Sequence, residues 1–238
     1  MFLRIEHLKK SFGSENILQD LSFGVNVHET LAILGKSGCG KTTLLKTIAG
    51  LTASDGGDIF LEDKRLNNIK PQERGVVYLY QEALLFPHLN VFENVAFGLK
   101  LKEKNATIIN ALTEKMLDDL ELSEQKNKMP HQLSGGQKQR VAFGRALIIH
   151  PKLLLLDEPF GALDTETRAS MQVLFKKVVH KNKITSVFVT HDLKEAVLMG
   201  DKLAYMERGD LKIYPTLSEF IADEKTGMKG EIDFWRKM

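Results

Sequence analysis

Short apolar runs punctuated by glycine and charge dominate both ends of this chain, while helical spacing dominates its middle. Residues 2–5 and 17–27 alternate in part between apolar and polar positions, with Phe12-Gly13-Ser14 as a turn between them, which predicts two strands. Leu31-Ala32-Ile33-Leu34 is an apolar run ended by Gly35 and suits a buried strand. Residues 42–49 then read as a helix stopped by Gly50. Asp55-Gly56-Gly57-Asp58 predicts a turn, Ile59-Phe60-Leu61 a strand, and residues 75–80 a β-rich run ending at Gln81.

From Val91 to about His150 the pattern is helical, with breaks at residues 102–105 and 127–130. Leu112, Met116, Leu117 and Leu120 fall on one helical face. Strands resume at Leu153-Leu154-Leu155-Leu156, after Pro151 has closed the preceding helix. Residues 165–180 read as a helix and 185–190 as a strand, and residues 203–207 and 211–214 flank Arg208-Gly209-Asp210 as a hairpin. The order predicts an α/β core interrupted by a helical insertion. Residues 1–85 and 151–225 form the core, residues 86–150 the insertion, and residues 226–238 carry no assignable pattern. No internal repeat and no sustained heptad is present, which removes tandem modules and coiled-coil arms.

Composition narrows the class. A length of 238 residues allows one large domain or two small ones sharing a core. The hydrophobic fraction of 43% beside 27% charged residues excludes a disordered or fibrous chain. Thirty-three basic residues against 31 acidic ones leave +2, too balanced for a nucleic-acid coat or an electrostatic membrane anchor. No apolar run is long enough to cross a bilayer, and Met1 to His7 reaches its first acid at Glu6 with no signal-peptide core. The single cysteine excludes an intramolecular disulfide and a zinc cluster. A soluble, cytosolic protein is expected.

Chemistry enters with Gly35-Lys36-Ser37-Gly38-Cys39-Gly40-Lys41-Thr42, which fits G-x-x-x-x-G-K-[ST]. Glycines let successive backbone N–H groups converge on phosphate oxygens, and the helix that follows adds its positive end. Lys41 reaches the β- and γ-phosphates and the Thr42 hydroxyl can ligate Mg²⁺. The match follows a predicted strand and opens a predicted helix, as that mechanism demands. Residues 153–156 followed by Asp157 have the form of a strand whose terminal carboxylate sits near the Mg²⁺. Glu158, next in line, is placed to deprotonate an attacking water.

Leu133-Ser134-Gly135-Gly136-Gln137-Lys138-Gln139-Arg140 opens a further helix with glycines and a hydroxyl, a second anion site without a lysine. It resembles the signature motif of ATP-binding-cassette (ABC) proteins, and the rest of the chain is similar to that family over residues 1–220. The resemblance implies a P-loop NTPase (RecA-like) core with an N-terminal antiparallel β portion and an inserted helical subdomain. It implies that ATP, with Mg²⁺, lies between two cassettes arranged head to tail, identical or paired. Phe12, Gly35 to Gly40, Lys41, Thr42, Thr43, Gln81, Asp157, Glu158 and His191 of one copy would face Ser134, Gly135, Gly136 and Gln137 of the other. In the family Gln81 corresponds to a glutamine that approaches Mg²⁺ and reports to a membrane partner. Gly161-Ala162-Leu163-Asp164 looks like the D-loop, with Asp164 at the dimer interface, and His191 corresponds to the switch histidine at the γ-phosphate. Phe12 stands where an aromatic stacks on adenine, and Asp63 departs from the glycine often found in a hairpin turn.

Gln81 to Val95 resembles importer ATPases serving oxyanions, ferric iron, polyamines and sugars, in which this stretch receives a coupling helix from the membrane subunit. The expectation is therefore an ATPase on the cytoplasmic side of the cell membrane, working with permease subunits and a solute-binding protein and without nucleic acid. The alternatives are a soluble ABC ATPase acting on nucleic acid or ribosomes, and an export-type cassette. Several importer ATPases carry a further C-terminal β-rich domain, which a chain ending near residue 238 is expected to lack.

Overall fold

The computed structural model describes residues 1–103 and 105–236, the side chains of 234–236 excepted. In chain order the elements are β1 (Leu3–Phe12), β2 (Glu15–Val25), β3 (Thr30–Leu34), α1 (Lys41–Ala49), β4 (Gly56–Leu61), β5 (Lys64–Arg65) and β6 (Val76–Leu79). Then follow α2 (Val91–Lys102), α3 (Ala106–Asp119), α4 (Gly135–Leu147), β7 (Leu153–Asp157) and α5 (Thr165–Lys181). The chain closes with β8 (Thr185–Thr190), α6 (Leu193–Met199), β9 (Lys202–Glu207), β10 (Asp210–Tyr214), α7 (Leu217–Ala222) and α8 (Met228–Arg236). They divide between two compact units, residues 1–78, 155–158 and 185–238 in the first and residues 79–154 and 159–184 in the second.

The first unit is built on strands. β3 pairs in parallel with both β8 and β9, and all five of its residues are buried. A strand covered on both faces needs apolar side chains throughout, so it reads as a run and not as an alternation. The full order is β10-β9-β3-β8-β7-β6, and the antiparallel β9–β10 hairpin closes one edge. Arg208 and Gly209 both take positive φ, 48° and 78°, as a two-residue hairpin turn requires. A second, antiparallel sheet runs β2-β1-β4-β5, with Leu3, Ile5 and Leu8 of β1 turned to the interior.

Two expectations change here. Gly56 and Gly57 open β4 and do not form a free turn. The pairing with β1 shifts register between Glu6 and Lys9, and a Cβ at Gly57 would lie 2.2 Å from the His7 carbonyl oxygen. Gly57 serves a bulge where two backbones press together. Met228–Arg236, in the stretch without an assigned pattern, is helical, and its Glu231 pairs with Lys194 of α6 at 3.4 Å; Lys237 and Met238 lie outside the described residues.

The second unit is mostly helical. Phe143 of α4, Phe175 of α5 and Phe160 form a fully buried aromatic cluster with centroids 4.6–6.0 Å apart. On α3 the buried stripe is Ile109, Thr113, Met116, Leu117 and Leu120, whereas Leu112 stays 37% exposed. The i, i+4, i+7, i+8 spacing of that stripe leaves position 112 at its margin. The break expected at residues 102–105 falls between α2 and α3, Lys104 within it lying outside the described residues.

Candidate active site

Six of the seven helices from α1 to α7 have a side chain that accepts a backbone N–H at the N-terminus: Asn90, Asn105, Ser134, Asp164, Asp192 and Thr216. Among these described helices α1 is the exception, with Gly40 at its cap position, no capping side chain and no acid in its first turn. Its first-turn amides and positive helix end are thus left for a ligand, and an anion is the ligand they suit. The loop before α1 needs its glycines for space. Gly40 has φ 109°, and a Cβ on Gly35 would lie 2.5 Å from the Met206 carbonyl oxygen of β9.

Lys41 is buried, and its ammonium donates to the carbonyls of Gly35 (2.6 Å) and Lys36 (3.1 Å). It lies 3.7 Å from Glu158 Oε1. Thr42 Oγ1 donates to Asp157 Oδ1 (3.0 Å), while the Tyr78 hydroxyl donates to Asp157 Oδ2 (2.5 Å). The Thr42 oxygen and the Asp157 carboxylate are hard donors of the kind Mg²⁺ takes together with phosphate oxygens, so these residues fit that ion. Glu158 stands at the end of β7 in the left-handed region, φ 46°, with its N–H donated to the Val189 carbonyl (3.0 Å). That conformation costs a non-glycine residue energy and aims the side chain out of the strand direction. Its Oε2 meets His191 Nδ1 at 2.6 Å.

His191 is held from behind. Thr190 Oγ1 donates to the buried Glu195 carboxylate (2.7 Å) and accepts the Asp192 N–H (2.9 Å), and Asp192 caps α6 through the Glu195 N–H. The first unit thus brings together Gly35 to Thr43, Asp157, Glu158 and His191. Beside the loop opens a cleft of about 360 Å³, lined in part by Ile17, Lys36, Cys39, Met206 and Gly209. Phe12 is 54% exposed at the end of β1, with the Lys10 ammonium 5.2 Å from its ring centroid.

A cysteine at the positive start of a helix and beside a lysine is expected to favour thiolate unless its side chain turns into the core, and the structure gives the second outcome. Burial pushes the Cys39 thiol above its ordinary range, against the lowering effect of Lys41. Its Sγ would lie 2.8 Å from a Cβ on Gly35, so the side chain tucks under the loop. A raised pKa leaves less thiolate at pH 7, so alkylation there should be slower than for a free cysteine and should accelerate as pH rises through the thiol range. Rapid labelling at pH 7, followed by mass spectrometry, would contradict this placement.

The remaining residues belong to the second unit. Ser134 caps α4, its hydroxyl accepting the Gln137 N–H (3.2 Å) while Gln137 Oε1 accepts the Ser134 N–H (3.0 Å), with Gly135 and Gly136 in the first turn. Asp164 caps α5, and the Thr167 N–H at 3.0 Å holds its carboxyl below the usual range. Gln81 is exposed in the bend after β6. Two contributors escape sequence reasoning. Tyr78 holds Asp157 from 79 positions away. Asn94 is fully buried, accepts the Phe86 N–H, and donates to the carbonyls of Phe86, Leu89 and Asn90. Arg145 adds a bond to the Leu84 carbonyl and stacks 4.9 Å from the Phe86 ring, which fixes the segment before α2.

A glycine loop feeding an uncapped helix, a buried lysine, a hydroxyl–carboxylate pair and a carboxylate–imidazole pair on an α/β sheet define a P-loop nucleotide-binding protein. The sequence matches the ABC transporter family over residues 18–161, and the chain belongs to that family. Its relatives include the spermidine/putrescine import ATP-binding protein PotA of Clostridioides difficile, 41% identical over 94% of this chain and 64% of its own length. The sulfate/thiosulfate import ATP-binding protein CysA of Xanthomonas campestris is 44% identical over 89% of this chain and 63% of its own. The Fe(3+) ions import ATP-binding protein FbpC of Fusobacterium nucleatum is 40% identical over 88% and 57%. The chain thus spans less than two thirds of these curated relatives. Among solved structures, the dimeric ATP-binding cassette MJ0796, in a post-hydrolysis state bound to ADP and Pi, superposes with a TM-score of 0.77 at 29% identity, over 88% of this chain and 96% of that one.

Proposed function

We propose that this chain is the ATP-hydrolysing subunit of an importer, one cassette working against a second, identical or paired, at the cytoplasmic face of a membrane. The observation that carries the reading is the Glu158–His191 pair set beside Lys41, Thr42 and Asp157. In this reading the loop amides of residues 35–43 and Lys41 bind the phosphates. Glu158 takes the proton of the attacking water, and His191 holds the carboxylate and faces the terminal phosphate. Thr42, Asp157 and Gln81 would hold Mg²⁺, which when bound offsets charge on the phosphate oxygens. Phe12 would stack on the base, and Ser134 to Gln137 with Asp164 would complete the site of the second cassette. The import names of the relatives and the dimer of the solved neighbour support this assembly. Among the described residues no helix is long and apolar enough to cross a membrane, so separate permease subunits, served by a solute-binding protein, would supply the path.

Ser134→Arg tests the assembly. Loss of the helix cap costs about 1 kcal/mol, but the bulky cation would enter the partner's phosphate site. Hydrolysis should stop while ATP binding to the single chain persists. A variant that loses ATP binding as a monomer would place Ser134 at its own chain's nucleotide and defeat the head-to-tail arrangement. Recovery of a tagged chain with nucleic acid and not with a membrane subunit would defeat the importer reading.

A further inference from the structure

The carboxylate of Asp157 is held at both oxygens, and the second holder lies outside every motif of the site. Thr42 gives its proton to Oδ1 and keeps its oxygen lone pairs for a cation. The Tyr78 phenol donates to Oδ2 from β6 at 2.5 Å. A lone aspartate carboxylate turns easily about its last torsion, which is broad and two-fold. With Thr42 alone one oxygen is tethered and the plane of the group can swing. With Tyr78 on the other oxygen that plane is fixed, and Oδ1, beside the Thr42 oxygen, is held where its second lone pair can meet a metal ion that Thr42 also ligates. Tyr78 sits half-buried on a strand, which gives the phenol a rigid mount.

We infer that Tyr78 is a positioning residue that presents Asp157 to the divalent cation of the bound nucleotide. The inference rests on the nucleotide reading above. It makes Tyr78 matter to the metal and not to the nucleotide as such. Partners that orient a metal-binding carboxylate are commonly worth 10–100-fold in metal affinity.

Tyr78→Phe removes one oxygen and keeps the ring. The test titrates Mn²⁺ into wild-type and variant chains saturated with a non-hydrolysable ATP analogue, with free Mn²⁺ read by electron paramagnetic resonance. Binding of the analogue without metal and the ligand-free melting temperature are measured alongside. Mn²⁺ affinity of the loaded variant should fall about 10-fold, while metal-free analogue affinity stays within about two-fold. Equal Mn²⁺ affinity in the two proteins would overturn the inference, as would a parallel loss of metal-free binding, which marks a merely structural role. A wild-type chain that binds no analogue at all would overturn the nucleotide reading and this inference with it.

Discussion

Glu158→Gln should lower ATP turnover by roughly 10²–10⁴-fold, the range in which removal of a general base falls. The amide keeps the size of the carboxylate and can still meet His191 Nδ1, now 2.6 Å away, but it cannot accept a proton from water. The backbone at φ 46° is equally strained with either side chain, so stability should change little. ATP binding should survive, because the loop amides and Lys41 are untouched. An ATP-bound pair of cassettes should then persist long enough to appear in gel filtration. Turnover close to wild type would mean that the base lies elsewhere and that Glu158 only accompanies Lys41, 3.7 Å from it.

Asn94→Leu should cost about 2–4 kcal/mol, since it leaves the Phe86 N–H and the Leu89 carbonyl without their partner, at about 1–3 kcal/mol each, while the Phe86 and Asn90 carbonyls keep the backbone N–H groups of Leu89 and Asn94. Phe86, Leu89 and Asn90 all hang on this one amide. Asn94→Asp is the sharper variant: its carboxylate still accepts the Phe86 N–H but turns an anion toward three carbonyl oxygens, which is unfavourable in a buried setting. Both variants should unfold at lower denaturant concentration, and under the importer reading proposed above docking to a membrane subunit should fall as residues 84–90 lose their shape. An unchanged denaturation midpoint in both would show that the segment is held by Arg145 and the Phe86–Phe97 contact alone.

What the sequence discloses follows from how local each constraint is. The glycine loop of residues 35–42 is legible because its glycines, which set the backbone, and its lysine and threonine, which act through their side chains, all fall within eight positions. The doubly covered strands are legible because burial on both faces demands unbroken apolar runs. The Tyr78–Asp157 bond is not legible, since it joins residues 79 apart and a tyrosine in a β-rich run is unremarkable there. Asn94 is hidden for a different reason: an asparagine within a helix ordinarily signals solvent, and only the folded loop shows its amide bonded to one backbone N–H and three carbonyls. Gly57 carries the mark of a turn because bulge and turn both use positive φ, here 77°, and only the neighbouring strand tells them apart. The Cys39 thiol is misjudged from sequence because its burial is set by the folded loop and not by the helix it precedes.

The parallel pairing of β3 with β8 also has a consequence during synthesis. Thr30 and Ser186 join hydroxyls across 156 positions, so the strand that launches the phosphate loop leaves the ribosome long before its neighbour. At 5–20 residues per second the wait is about 8–30 s. Over that interval an apolar strand, buried on both faces in the finished protein, has no sheet to join, and the loop behind it has no floor. The nascent chain therefore cannot be rescued by nucleotide, whose binding stabilises only a formed site. A ribosomal pause or a truncation anywhere before β8 leaves the same strand unpaired on that edge, which makes the order of translation part of how this cassette reaches its working form.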